Sequence, residues 1–181
     1  RAAQSLGVQI FEETAAQRIT QGENALIYTD HGAVQCKQVV LAGNVYGTTL
    51  APGLDARIMP VGTYIIGSAP MSKARANALI PSRSAICDTN FVLDYFRLSA
   101  DDRMIFGGRV SYSTVTPMNL APTLKARMLK VFPQLSDLQV QYAWGGFVDI
   151  TMNRAPDFGR LANNVYYLQG FSGHGLALTG L

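Results

Sequence analysis

Hydrophobic and polar positions alternate in short runs over most of the chain, and glycine, proline and Asp/Asn turns divide the runs. Alternation with period two marks half-buried strands; apolar residues every three to four positions mark a helix face. On this basis 17–20 (QRIT), 25–29 (ALIYT) and 33–41 (AVQCKQVVL) form a small β-meander, with turns at 21–24 and 30–32. The third run ends in Ala42-Gly43, small residues suited to a strand end that something approaches closely. Further strands are predicted over 8–11 (VQIF), 61–67, 91–98 (FVLDYFRL), 103–110, 139–144 and 165–169. Phe91, Leu93, Tyr95 and Arg97 share one face of their run, and Val140, Tyr142 and Trp144 share one face of theirs. Helices are predicted over 1–6, ended by Gly7, over 72–79, with Ser72 as N-cap and Pro81 just beyond, and over 123–132. In the last of these, Leu124, Met128, Val131 and Phe132 recur at helical spacing. A final apolar helix starts at Gly175. Both ends of the chain fall inside elements, which predicts further chain on either side. The strand-rich middle with its two helices reads as a mixed or antiparallel sheet domain, and the flanks read as α/β material.

Composition narrows the function classes. Hydrophobic residues make up 48% of the 181 and charged residues 15%, enough apolar material for a core. The formal charge of +3 is spread without a basic run, which argues against a nucleic-acid partner. No apolar stretch is long enough to span a bilayer, and no leader peptide is visible at the first residue. Cys36 and Cys87 lie far apart, without CxxC or Cys/His spacing, so no metal site is expected. They are read as buried or half-buried thiols of a reducing, cytoplasmic compartment, although two cysteines can also pair. Oligomeric state is not legible.

Three segments can carry chemistry. The first is strand, glycine-rich turn and apolar helix over 165–181 (VYYLQGFSGHGLALTGL). Gly170, Gly173 and Gly175 let backbone approach a ligand, and free amides at a helix start favour negative charge. Equally, the glycines meet only the dihedral needs of a tight turn. The second is Trp144-Gly145-Gly146-Phe147 with the turn that follows, where a planar ring can lie against glycine backbone. Trp144 by itself is more often core, and Arg154 reads as a surface turn arginine. The third is Tyr95 beside Arg97, either a carboxylate clamp or, slightly favoured, a solvated strand edge. His31 falls in an exposed turn and His174 inside the glycine turn. GxSxG, GxGxxG and GxxxxGK[ST] are all absent from the 181 residues, and no catalytic residue is identified.

The segments LGVQIFEET, CKQVVLAGNVY, WGGFVDITMNRAPDFGRL and VYYLQGFSGHGLAL, in that order, resemble the FAD-dependent D-amino-acid oxidase superfamily. With CDTNFVLDYFRLSADDRMIFGG and LKVFPQL between them, the sequence is most similar to the bacterial gamma-glutamylputrescine oxidase group. The resemblance implies a parent about twice this length or more, with a GxGxxG βαβ unit that holds the FAD pyrophosphate upstream of Arg1. It implies that backbone around Ala16 meets the adenine and that Ala42-Gly43 stands at the family's Ala-Thr-Gly turn, without its Thr. Asn44-Val45-Tyr46 departs from the family's Ala-Trp at the same place. Gly170, Ser172, Gly173, His174, Gly175 and Leu176 match the loop beside the flavin pyrimidine, and Gly145 is placed with the cofactor residues. Members with covalent flavin carry a cysteine near 146–148; none stands there here, so the flavin is expected to be non-covalent. Tyr95, Arg97 and Trp144 are the implied substrate-binding residues.

The fold class expected is α+β with α/β parts, a mixed-sheet substrate domain flanked by pieces of a Rossmann-type FAD domain. The divisions are 1–58 and 149–181 for the flavin domain and 59–148 for the substrate domain. The implied activity is oxidation of an amine C–N bond, with gamma-glutamylputrescine or a related amine or amino acid as the small-molecule substrate. The alternative is a non-catalytic or accessory subunit of a dehydrogenase complex with the same fold. The fragment alone is expected to be inactive and to bind no FAD.

Overall fold

The computed structural model describes residues 2–113, 115 and 117–180. Its contacts divide the chain into two compact units, one of Arg1–Met59 with Asp149–Leu181, the other of Pro60–Val148.

The first unit opens with a single helical turn, α1 (Ala2–Ser5). The next segment, 8–11, is not the strand its pattern predicts. No neighbouring strand pairs with it among the described residues, and Val8, Ile10 and Phe11 are all exposed. β1 (Ala16–Thr20), β2 (Ala25–Thr29) and β3 (Gly32–Cys36) then form an antiparallel meander. The predicted third strand is broken after Cys36, and its apolar end becomes β4 (Val39–Leu41), in a different sheet. That sheet has the order β10 (Asp157–Ala162), β11 (Val165–Gln169), β4. β10 runs antiparallel to β11, and β11 runs parallel to β4 with Val165 opposite Val39 and Tyr167 opposite Leu41. Alternation gives the sheet two faces. Val39, Val165, Tyr167 and Gln169 point into the unit and are buried, the first two against Ala25 of the meander. Val40, Phe158, Leu168 and Tyr166 are on the other face, the first three exposed.

The second unit is a five-stranded sheet in the order β6 (Ile86–Cys87), β7 (Tyr95–Leu98), β8 (Arg103–Ser111), β5 (Ile58–Pro70), β9 (Val140–Thr151). β5 and β9, neighbours at one side of this sheet, are the strands that continue into the first unit's residues. α2 (Lys73–Leu79) is capped as predicted, Ser72 Oγ accepting from the Arg75 amide at 3.3 Å. α3 (Leu120–Val131) starts one turn earlier than its apolar spacing suggests. Pro122 lies in that first turn, where a missing amide costs nothing. Leu120, Leu124 and Met128 on α3 and Ala76 on α2 pack with Ile66, Leu98, Met104 and Phe106 from the sheet to form the core. Phe96 stacks on Phe106 at 5.7 Å and meets Phe132 edge-on at 4.9 Å. Val140, at the start of β9, packs on this core. β7 is shorter than the predicted 91–98 run. Asp94, just before it, is held off the pleat by Arg127 at 2.7 Å and by its own amide donating to Asp88 at 3.2 Å. Phe91 and Leu93 therefore stand exposed ahead of the strand and share no face with Tyr95.

Cys36 is half-buried and Cys87 exposed, against the expectation that neither would be exposed; both are free thiols. Among the described residues no helix is long and apolar enough to cross a membrane, and no group of three or more His, Cys, Asp or Glu could hold a metal.

Candidate functional site

The parallel pairing of β4 and β11 puts the C-terminal ends of two strands side by side. Segment 42–46 leaves one and segment 170–176 leaves the other. In open sheets with parallel strands, ligands bind at such carboxyl ends, because the chain turns away and leaves backbone amides and a crevice. The turns at both exits are held in left-handed backbone. Asn44 has φ 52°, within a 3-10 turn that spans Asn44–Tyr46, and Gly170, Ser172 and Gly173 have φ 73°, 52° and 88°.

The glycines of these exits differ in purpose. A side chain at Gly170 would meet Thr151 Cγ2 at 2.3 Å, and one at Gly43 would meet the Gly47 backbone at 2.9 Å, so packing requires both. Gly173 has open space where its side chain would be. Its glycine character serves the dihedral and leaves its surface free for something to approach. The helix that follows, α4 (Gly175–Leu178), is one turn long with His174 at its N-cap. So short a helix has little dipole, and any attraction for negative charge comes from the loop amides themselves.

Polar groups anchor the exit from below. Tyr167 OH accepts from Arg57 Nη1 at 2.6 Å and donates to Asp157 Oδ1 at 3.0 Å; Gln169 Nε2 donates to Asp157 Oδ2 at 2.9 Å and to the Leu54 carbonyl at 3.2 Å. Burial, then the Asp157 carboxylate, pushes the Tyr167 phenol above its ordinary value, with Arg57 opposing. Asp149 is buried under the loop. Its Oδ2 accepts the Gly170 amide at 2.5 Å, and its main-chain carbonyl accepts the Ser172 amide at 3.0 Å. Asp149, Asp157, Tyr167 and Gln169 were not singled out in the sequence. The available signal was an acidic residue at an inward position of an apolar strand, FVDIT.

The first unit thus brings together Ala42, Gly43, Gly170, Ser172, Gly173, His174, Gly175 and Leu176 at one end of a parallel strand pair. Ala16 opens β1, in the other sheet of this unit.

In the second unit, Tyr95, Arg97, Tyr142 and Trp144 lie on the sheet face turned away from the helices. Tyr95 covers Gly107, its cross-strand partner on β8, whose side-chain position the ring fills. Burial raises the Tyr95 phenol above its ordinary value, opposed by a hydrogen bond with Thr63. Arg97 is exposed and bonds its neighbour's carbonyl at 3.4 Å, with no ion pair among the described residues. Arg103 stands over the Tyr142 ring at 5.3 Å. Trp144 is 45% exposed and therefore not core, contrary to the usual fate of a lone tryptophan. Gly145 points the other way, toward the buried Tyr64, while Gly146 faces open space.

Comparison with known proteins gives one consistent result. The family described as DAO, FAD dependent oxidoreductase, matches residues 1–181. The Escherichia coli gamma-glutamylputrescine oxidoreductase is 40% identical over 97% of this chain and 41% of its own length. A probable oxidoreductase OrdL of Haemophilus influenzae is 38% identical over 100% of this chain and 42% of its own. The chain thus spans about two fifths of the length of these curated relatives. Among solved structures, a Bacillus cereus glycine oxidase superposes with TM-score 0.78 at 18% identity, covering 98% of this chain and 49% of that one. An L-proline dehydrogenase of P. horikoshii does so with TM-score 0.77 at 19% identity, covering 96% and 48%. Both share the expected mixed α+β fold.

Proposed function

This chain belongs to the DAO family of FAD-dependent oxidoreductases, and from that membership we propose that it is part of an enzyme that oxidises the C–N bond of an amine. Gamma-glutamylputrescine or a closely related amine or amino acid is the substrate this reading favours, on the name of the 40% identical relative. A reducing, cytoplasmic setting accords with two unpaired thiols.

The observation that carries the reading is the pair of parallel strand ends with the open Gly173 at one exit. The residues fit the ring edge of a non-covalent flavin: small residues at 42–43, left-handed backbone at 170–173 and clear space over Gly173. They do not supply the glycine-rich βαβ turn that would hold the pyrophosphate, since GxGxxG is absent from these residues. FAD, when bound, would supply the oxidising chemistry, taking a hydride from the amine's α-carbon while the nitrogen gives up a proton; water would then convert the imine to a carbonyl compound and an amine. Loop amides from Gly173 onward would face the pyrimidine edge and favour negative charge there.

In the second unit, Tyr95 and Trp144 would bind the chain of the substrate and Arg97 a carboxylate on it. Trp144 and Tyr142 offer aromatic faces to the substrate and help to exclude water. No acid–base pair is required of the protein beyond positioning, because the amine binds as the neutral base.

The test is anaerobic mixing of the full-length flavoprotein with gamma-glutamylputrescine. Bleaching of the flavin absorbance is the expected result. A colourless protein that takes up no FAD would overturn the reading, and a bound flavin that no amine or amino acid reduces would leave an accessory subunit.

A further inference from the structure

We infer that Asp149 is a positioning residue that sets the backbone conformation of the loop 170–173, and through it the affinity for the flavin. The inference rests on the reading of that loop as flavin-facing.

Asp149 is 5% exposed and makes no ion pair among the described residues. A carboxylate so placed is costly unless its oxygens are engaged. Its engagement is with backbone alone: the side chain takes the Gly170 amide at 2.5 Å and the carbonyl takes the Ser172 amide at 3.0 Å. One residue thus ties the loop at two points that bracket Phe171. Both tied residues are in left-handed backbone, Gly170 at φ 73° and Ser172 at φ 52°. For Gly170 the conformation is permitted. For Ser172 it is strained and persists only where surrounding bonds over-determine it. The Asp149 carbonyl supplies one such bond; the Ser172 hydroxyl, donating to the Gly170 carbonyl at 3.4 Å, and the turn that follows, with the His174 amide donating to the Phe171 carbonyl at 2.9 Å, supply others.

The consequence reaches Gly173. Its open surface faces outward because the two residues before it are fixed, and Asp149 touches neither Gly173 nor the space above it. Loss of the side-chain bond frees Gly170; its movement draws the Ser172 amide off the Asp149 carbonyl, which a substitution leaves in place, so that Ser172 relaxes toward ordinary backbone and the Gly173 amide turns away from its present direction. The essential property of Asp149 is an acceptor oxygen at the end of a short side chain. Asparagine retains that oxygen, alanine removes it, and glutamate puts it one methylene out of place.

The experiment compares FAD dissociation constants of the full-length protein and three variants, with the flavin absorbance spectrum of each. Asp149→Ala should weaken FAD binding about tenfold or more, the loss of one charge-assisted bond. Asp149→Asn should stay within about threefold of the parent, since a neutral amide oxygen still accepts the Gly170 amide. Adding Ser172→Gly to Asp149→Ala should restore part of the affinity, because glycine needs no tie to hold positive φ; a merely structural defect would not be rescued there. Equal affinity in Asp149→Ala and the parent overturns the inference and leaves the flavin reading standing. Equal losses in the Ala and Asn variants, or no rescue, also overturn it. A parent that takes up no FAD removes both. Should Asp149→Ala fail to fold, hydrogen exchange of the parent apoprotein reads the same tie: the Gly170 and Ser172 amides should exchange at least about tenfold more slowly than Gly173, and equal rates would refute it.

Discussion

A β-carbon on Gly145 would stand 2.5 Å from the ring of Tyr64, so the tyrosine of one strand occupies the side-chain place of its neighbour. The two glycines of the WGGF segment therefore have different reasons to exist. Gly145 is there for a buried aromatic, and Gly146 has nothing within 4 Å of its absent side chain. Gly145→Ala should destabilise the protein by about 1–3 kcal/mol, as overpacking does. Gly146→Ala should change stability by less than about 0.5 kcal/mol, as surface substitutions do. Urea denaturation of the two variants checks the contrast, and equal effects would count against it.

A similar contrast holds at the glycine loop. Gly170→Ala drives a methyl into Thr151 Cγ2, 2.3 Å away, and imposes positive φ on a β-carbon, so it should unfold or badly destabilise the first unit. Gly173→Val meets no atom and should leave a folded protein, yet at φ 88° a β-branched residue cannot keep the loop. Its flavin content after purification is expected to be near zero while its far-ultraviolet circular dichroism matches the parent. Full flavin content in a folded Gly173→Val would refute the placement.

The alkaline limb of stability should report on Tyr167. Burial and Asp157 raise its phenol above the unfolded value of about 10. The native state therefore holds the proton more tightly than the unfolded chain. Stability from this group is complete below pH about 10 and falls as pH rises from there through the raised native value. Tyr95, also raised, acts in the same direction. Tyr167→Phe should lose about 1–2 kcal/mol at neutral pH, because Asp157 and Arg57 lose a partner. It should also show a shallower loss between pH 9 and 11 than the parent. Thermal melts across that range measure both.

Titration of the 181 residues alone with FAD should show no tight, stoichiometric heat. The affinity of a dinucleotide leans on its pyrophosphate, and no GxGxxG turn is present to hold it. Tight binding would mean that the phosphates are held by groups other than a glycine-rich βαβ turn.

Elements whose partners are near in sequence were legible from it. The 25–29 and 165–169 runs are strands with the expected limits, and Ser72 caps its helix as its position suggested. The misreadings have different causes. Val39 leaves the meander because it pairs with Val165, for which the residues around 36–38 carry no local mark. The run at 8–11 has the alternation of a strand but no pairing neighbour among the described residues. β10 was hidden by Asp157, Pro156 and Gly159, which read as a turn. Its glycine in fact makes room for Tyr167, whose hydroxyl would lie 3.0 Å from a β-carbon there. At the site, the glycine pattern located the loop. Asp149 beneath it was marked only by its place in the apolar run FVDIT, which does not say which groups its carboxylate binds.

The pairing of Val39 with Val165 also orders events in time. Ribosomes deliver the chain from its N-terminus, and domains fold as they emerge. The meander and the whole of Pro60–Val148 have their partners within reach early, whereas β4 must wait, unpaired along one edge, until β11 leaves the exit tunnel. Closing that contact across so long a loop is the slow kind of step. The glycine loop directly follows β11, so the strand-end site assigned to the cofactor takes shape only after the meander and Pro60–Val148 can already have folded.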